Sequence, residues 1–242
     1  MSIIHFVLQG KGGVGKSLVA SLLCQYLQKK GLSVSAVDTD PVNKTLTGYK
    51  EIDVHPIDIM NGDDIDNRRF DLLMEIIFEK PMDSHIVIDN GASSFVPLCS
   101  YLKENDALEL LCDRDHQIFL HTIVTGGQAI TDTVNGLNTL ALSFSGTPLV
   151  VWLNSFFGNV AMRGESFEKF IVYKENIKKF KAIIQLPIRK QSTFGKDLEE
   201  LFARRETFEA AINSSLPVMT RQRLKTYWRD VQDVIDTANL LE

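Results

Sequence analysis

The sequence predicts a doubly wound α/β fold, a mostly parallel sheet with helices on both faces. Three observations predict it. Short, continuously apolar segments recur along the chain, as in strands buried on both sides. They alternate with longer segments whose apolar residues fall three and four apart, which implies right-handed strand–helix–strand units. The most polar loops directly follow three of the apolar segments, at the carboxyl ends where such sheets hold ligands.

The elements follow in order. IIHFVL (3–8) is an apolar run ending in glycines and reads as a buried strand. KSLVASLLCQYLQKK (16–30) has helical spacing, and Gly31 is its stop. SVSAVD (33–38) is the next strand, followed by the polar loop TDPVNKTLTGYK. NRRFDLLMEIIFEK (67–80) is an amphipathic helix closed by Pro81. HIVID (85–89) is a buried strand leading into NGASSFVP, read as a flexible loop. IFLHTIVT (118–125) is a strand, and Gly126-Gly127 introduces the helix QAITDTVNGLNTLALSF. PLVVWLN (148–154) and AIIQLP (182–187) are the last strands, and the remainder is mostly helical. No linker, repeat or low-complexity segment interrupts residues 1–242, which read as one domain.

Composition narrows the classes. The net charge of −5 disfavours a protein that grips nucleic acid with its whole surface; DNA contact through a local basic patch stays open. Three cysteines, Cys24, Cys99 and Cys112, without CxxC spacing suit a reducing compartment. No apolar run approaches the ~20 residues that span a bilayer, and the N-terminus lacks a basic region of the signal-peptide kind. The expected location is the cytoplasm.

The chemistry is concentrated in VLQGKGGVGKSL (7–18). Gly10-Lys11-Gly12-Gly13-Val14-Gly15-Lys16-Ser17 fits G-x-x-x-x-G-K-[ST] between a strand and a helix. Glycines let the backbone curl so that N–H groups point at phosphate oxygens, and the helix N-terminus adds its positive end. Gly12, Gly13, Val14, Gly15, Lys16, Ser17 and Leu18 are the candidate nucleotide-binding residues. Lys16 would reach the β- and γ-phosphates and Ser17 would bind Mg²⁺. Lys11, an extra lysine at the front of the loop, needs its own explanation.

KGGVGKS, with its early lysine, resembles the deviant Walker A motif of the ParA/MinD family of dimerising ATPases. The resemblance implies that Lys11 crosses a dimer interface to touch phosphate in the partner subunit. Two ATP molecules would then lie between two chains, and Gly12 would stay small beneath the partner's backbone. Asp38-Thr39-Asp40-Pro41 matches the family's D-x-D-P: Asp40 would orient the attacking water and Asp38 would support Mg²⁺ through its water shell. Asp89, ending HIVID, has the Walker B form and would hold Mg²⁺ from outside the first shell. Asn90-Gly91-Ala92-Ser93-Ser94 departs from the Pro-containing loop common in the family, with Gly91 a candidate hinge. Asn154 and Pro187 fall where the family contacts the nucleotide base. No N-K-x-D is present, which favours ATP over GTP.

Further stretches, DTDPVNKTLTGYK, VIDNGASSFVPL, HTIVTGGQAITDTV, VVWLN and MTRQRLK, are similar to family members encoded among plasmid conjugal-transfer genes. They imply a role in conjugal transfer or partition, an ATP-dependent homodimer and a protein partner in that machinery. Two alternatives stand beside it: an ATP-dependent synthetase or kinase on the same fold, and a non-hydrolysing nucleotide-binding scaffold.

Two features point elsewhere. Cys112, Asp113, Asp115, His116 and His121 cluster in sequence but match no zinc spacing. Gly91–Phe95 resembles a nucleophile elbow without its second glycine, which discounts Ser93. The basic start of the last helix, Arg221, Arg223, Lys225 and Arg229, reads either as a membrane or nucleic-acid surface or as one end of a docked terminal helix. The apolar spacing of Leu224, Trp228, Val231, Ile235 and Ala238 favours docking.

Overall fold

The computed structural model describes residues 1–241. In chain order the strands and helices begin with β1 (Ile3–Val7), α1 (Lys16–Lys29), β2 (Val34–Asp38), β3 (Val54–Pro56), β4 (Met60–Asn61) and β5 (Asp64–Ile65). Next come α2 (Asp71–Glu79), β6 (His85–Asp89), α3 (Phe95–Glu104), α4 (Ala107–Asp113), β7 (Gln117–Thr125), α5 (Ile130–Ser143) and β8 (Leu149–Asn154). The small hairpin β9 (Ala161–Met162) and β10 (Glu165–Ser166) precedes α6 (Ile171–Asn176), β11 (Phe180–Gln185), α7 (Lys196–Ala203), α8 (Phe208–Ile212) and α9 (Val218–Asp236).

The main sheet has the order β11-β8-β7-β1-β6-β2-β3. Every adjacent pair in it is parallel. Successive residues of each strand point to opposite faces, and the two faces build two cores. Ile3, Val7, Val87, Phe119 and Trp152 pack under α1, α7, α8 and α9. Ile4, Phe6, Ile86, Ile88 and Leu120 pack under α2 to α6. The strands are therefore apolar on both sides, which is why they read as continuous apolar runs.

One row of polar residues crosses the first core. Trp152 Nε1 donates to His121 Nδ1 at 3.0 Å. That fixes His121 as the tautomer protonated on Nε2, which faces His5 Nδ1 at 2.9 Å. His5 Nε2 in turn meets His85 Nδ1 at 3.1 Å. The row spans β8, β7, β1 and β6. Burial pushes His5 and His85 down and His121 down to about 3, so the imidazoles are neutral near pH 7.

The structure corrects several sequence-based boundaries. The stretch after Asp89 is only briefly a loop: α3 begins at Phe95, and Pro97 lies in its first turn, where proline costs no helical hydrogen bond. The segment 67–80 starts as a 3₁₀ turn at Asn67–Phe70, with the Asp66 side chain accepting from Arg68 N. The edge strand β3, both hairpins, α4 and α6 were absent from the sequence reading. α9 docks by Leu224, Tyr227, Trp228, Val231 and Ile235. Trp228 stacks on Phe208 with ring centres 5.0 Å apart, and Tyr26 donates to Asp236 at 2.6 Å.

Candidate functional site

β1 delivers the chain to the carboxyl end of the sheet through Leu8 and Gln9, both fully buried. Residues 10–15 then curl into α1. Gly13 and Gly15 adopt φ of 73° and 105°, left-handed backbone that side chains strain. No side chain caps α1, so the amides of its first turn are open to an anion. Gly12 has room within one chain, since an added Cβ would lie 3.8 Å from Ala92 Cβ, an ordinary contact. Lys16 is buried, and its Nζ donates to the Lys11 carbonyl at 3.1 Å. Burial lowers the Lys16 pKa, against the pull of Asp89 and Asp40.

β6 carries Asp89 beneath this loop. Asp89 is 1% exposed, and neither carboxylate oxygen closes a hydrogen bond. Burial pushes it up to about 7, with Asp38 and Asp40 adding to the shift; Ser17 and Lys16 oppose it. A buried carboxylate beside the Ser17 hydroxyl is a pair of oxygen donors. It fits a hydrated Mg²⁺, which keeps several of its waters.

The two other carboxylates differ. Asp38 is fully buried and committed: Oδ1 accepts from Asp40 N at 3.1 Å, and Oδ2 from Thr47 N at 3.0 Å and Thr47 Oγ1 at 2.9 Å. It braces the loop that carries Asp40. Asp40 Oδ1 accepts from Val42 N and Asn43 N at 2.9 and 3.2 Å. Its Oδ2 has one long contact, to Asn43 Nδ2 at 3.4 Å. Lys16, Ser17, Asp40, Ala92 and Ser93 share one open cleft of about 590 Å³ with the glycine loop.

Lys11 lies at the outer lip. Its Nζ pairs with Asp132 Oδ2 of the same chain at 2.7 Å, both side chains about half exposed. The start of α5, which carries Asp132, is tied to the loop from below, where Gln9 Nε2 donates to Thr133 O at 3.1 Å and Ile123 O at 2.9 Å.

Asn154 and Pro187 line a second cavity of about 320 Å³ that also meets Gly15, Leu18, Phe156 and Tyr227. Asn154 Nδ2 donates to Val14 O at 3.0 Å and its Oδ1 accepts from Phe156 N at 3.1 Å. Its amide braces the glycine loop from the side. Leu18 supplies an apolar wall.

The candidate metal cluster does not assemble. His121 is held in the core by Trp152 and His5, while Cys112 is exposed on α4. Among the described residues no group of three or more ligating side chains is poised to hold a metal ion. Sequence reasoning missed Asp132 as the partner of Lys11, and also the buried side chains of Thr39, Asn90 and Ser94. Only the last group left a trace, a polar run where the family has proline.

Comparison with known proteins agrees with this geometry. The chain is 46% identical over 243 residues to Protein TraL of Escherichia coli, covering 100% of both chains. It is 49% identical over 227 residues to a second Escherichia coli Protein TraL, covering 93% of each. In fold it is similar to MinD in the MinC:MinD cell division protein complex of Aquifex aeolicus (TM-score 0.53, 16% identity, 96% of each chain). It is similar also to the septum site-determining protein MinD complexed with Mg-ADP from Pyrococcus horikoshii OT3 (TM-score 0.53, 16% identity, 98% of this chain and 99% of that one). A family model for the CobQ/CobB/MinD/ParA nucleotide binding domain matches residues 5–237. A match from the first strand to the end of the last helix means that the chain belongs to the CobQ/CobB/MinD/ParA nucleotide-binding family.

Proposed function

We propose that this protein is a Mg²⁺-ATP-dependent dimerisation switch with a slow ATPase activity, serving plasmid conjugal transfer or the partition of DNA. One observation carries the reading. The glycine loop has two lysines with separate tasks: Lys16 is buried at the loop's floor, while Lys11 stands at the lip in an exposed ion pair that can be exchanged. A loop serving only its own nucleotide has no use for the second. The full-length similarity to TraL supports the conjugal-transfer role, and the Mg-ADP of the archaeal MinD supports the cofactor.

In this reading the amides of residues 12–18 and the Lys16 ammonium bind the phosphates. Ser17 and Asp89 would hold Mg²⁺, which supplies charge neutralisation at the phosphates; Asp38, its oxygens committed, contributes charge. Asp40 Oδ2, the freer of its two oxygens, orients water in line with the γ-phosphorus. The water oxygen bonds to that phosphorus as the bond to the β–γ bridging oxygen breaks, ADP leaves with that electron pair, and the water passes a proton to a γ-phosphate oxygen to give inorganic phosphate. Lys11 leaves Asp132 for the partner's nucleotide, so dimerisation and catalysis rise together. Leu18 and Pro187 flank the base, and Asn154 keeps the loop against it.

Sizing by sedimentation with ADP, with ATP and with a non-hydrolysable ATP analogue tests the switch. A dimer with ATP and the analogue and a monomer with ADP are expected. The same species in all three would sink the switch.

A further inference from the structure

The loops that follow β2 and β6 are joined by a buried polar cluster to which no role has yet been given. Thr39, Asn90 and Ser94 are each at most 1% exposed. The Asn90 side-chain oxygen accepts from two hydroxyls, Thr39 Oγ1 at 3.0 Å and Ser94 Oγ at 2.8 Å. Asn90 Nδ2 donates to Gly91 O at 3.0 Å, so its amide is used at both ends. The backbone of Thr39 adds an N–H to Asp89 O at 2.9 Å.

The neighbours of this cluster are the residues proposed to do the chemistry. Thr39 immediately precedes Asp40, and Asn90 immediately follows Asp89. Gly91 is pressed against Asp40: a Cβ there would lie 2.9 Å from Asp40 Oδ1 and 3.1 Å from its Cα. Four residues on, the Phe95 ring stands 3.0 Å from the Cβ position of Gly10, at the entrance of the glycine loop. Asp40, Asp89 and Gly10 are thus tied through one short segment.

We infer that Asn90 is a positioning residue. Its side chain clamps the Asp40 loop to the loop after Asp89, so that Asp40 can orient water only when both loops move as one body. This rests on the role proposed above for Asp40. Apolar side chains of the same size would fill the space, but they would leave the backbone bond from Thr39 to Asp89 as the tie between the two loops. A fully satisfied buried hydrogen-bond network selects one relative arrangement. A displacement of the 90–95 segment, such as a bound γ-phosphate or a partner chain could impose, would therefore be felt at Asp40 without a separate contact.

The test uses the full chain and four variants. Asn90→Ala removes the shared acceptor. Thr39→Val removes one donor at nearly constant volume, and Ser94→Ala the other. Thr39→Ser keeps the hydroxyl and serves as the rescue. Two readouts are taken: hydrogen exchange of the amides of residues 39, 40, 42 and 43, which needs no hydrolysis, and phosphate release set against affinity for a non-hydrolysable ATP analogue. In Asn90→Ala and Thr39→Val the amides should exchange faster. Misplacement of a catalytic group by about 1 Å costs up to ~100-fold in rate, so phosphate release should slow at least about tenfold while analogue affinity stays within about twofold. Thr39→Ser should match the unaltered protein in both. Unchanged exchange in both variants would show that no clamp exists. Affinity falling as much as phosphate release would assign Asn90 to the binding site as a whole and overturn the positioning role. Absence of phosphate release from the unaltered protein would overturn the proposed ATPase and leave the clamp to be judged on exchange alone.

Discussion

Lys11 and Asp132 form an ion pair within one chain, Nζ to Oδ2 2.7 Å, at the mouth of the phosphate loop. Both side chains are about half exposed, and pairs of that kind are worth at most ~1 kcal/mol. A charge-assisted hydrogen bond from Lys11 to a phosphate is worth ~1.5–3 kcal/mol. In the proposed dimer the exchange of Asp132 for a partner chain's phosphate would therefore be downhill, and two-fold symmetry would make it twice.

Lys11→Ala should accordingly keep monomeric ATP binding but weaken the ATP-induced dimer by about one to four powers of ten. Lys16→Ala should lose ATP binding itself. Asp132→Asn should act the opposite way, tightening the dimer by no more than about thirtyfold, because two exposed pairs no longer compete. Nucleotide calorimetry and sedimentation on the three variants check this. A Lys11→Ala protein that dimerises normally, or that loses ATP as completely as Lys16→Ala, would remove the interchain role.

Asp40→Ala should still bind ATP and Mg²⁺ but hydrolyse ATP at least about a hundredfold more slowly. The carboxylate lies in the open cleft with one oxygen nearly free, so its loss leaves the loop bonds of Asp38 intact. Phosphate release under single-turnover conditions measures it. An unchanged rate would move the water-orienting role to another group.

The phosphate loop and the ends of β2 and β6 were legible in the sequence because their chemistry demands particular residues. Left-handed turns at Gly13 and Gly15 need glycine, and a buried strand ending in aspartate is conspicuous. The Lys11–Asp132 pair was not legible. It joins residues far apart in the chain through the packing of α5 on the sheet, and nothing local marks Asp132 among other surface carboxylates. α3 was hidden by Pro97, which reads as a breaker yet lies harmlessly in a first turn. β3 escaped because it pairs over three residues only, at the sheet edge. The position of Asn154 at the end of β8, beside the cavity that Pro187 also lines, was legible, but its bond to the Val14 carbonyl, which uses one of its two amide N–H groups, was not.

The basic start of α9 should contribute little to DNA retention. Arg223 is bonded to Asp197 through Nε and, at 3.2 Å, through Nη2, and Arg221 Nε is buried. Of these three, Lys225 alone is exposed rather than half-buried. Changing Arg221, Arg223 and Lys225 together to Ala should alter the salt dependence of DNA retention by no more than about one phosphate contact. Losing the Arg223–Asp197 pair should change the melting temperature only slightly. A steep fall in DNA retention would make this helix a nucleic-acid contact.

The histidine row gives the protein a pH limit of its own. His5 and His121 are fully buried and held neutral, with pKa values below that of the unfolded chain, His121 at about 3. Their contribution to stability is fully present above about pH 6.5, where the unfolded chain binds no proton on them. As pH falls below that value the unfolded histidines take up protons and the folded ones do not. Each then loses about 1.4 kcal/mol of stability per pH unit. For His121 alone, two units of acidification remove roughly 2–3 kcal/mol, a sizeable share of a typical domain's 5–15 kcal/mol. His85, shifted the same way, adds to the loss. Denaturant unfolding at several pH values should therefore show stability falling with a slope of about one to two protons below pH 6, because Asp89, pushed up to about 7 in the folded chain, takes up a proton there and offsets one of the histidines. His121→Gln is the informative variant, because its amide can accept from Trp152 and donate to His5 without titrating. It should keep the fold at pH 7 and reduce the slope by about one proton. A slope unchanged by His121→Gln would mean that acid acts elsewhere, and a protonated His121 at pH 6 in nitrogen-15 NMR would contradict the tautomer that Trp152 imposes.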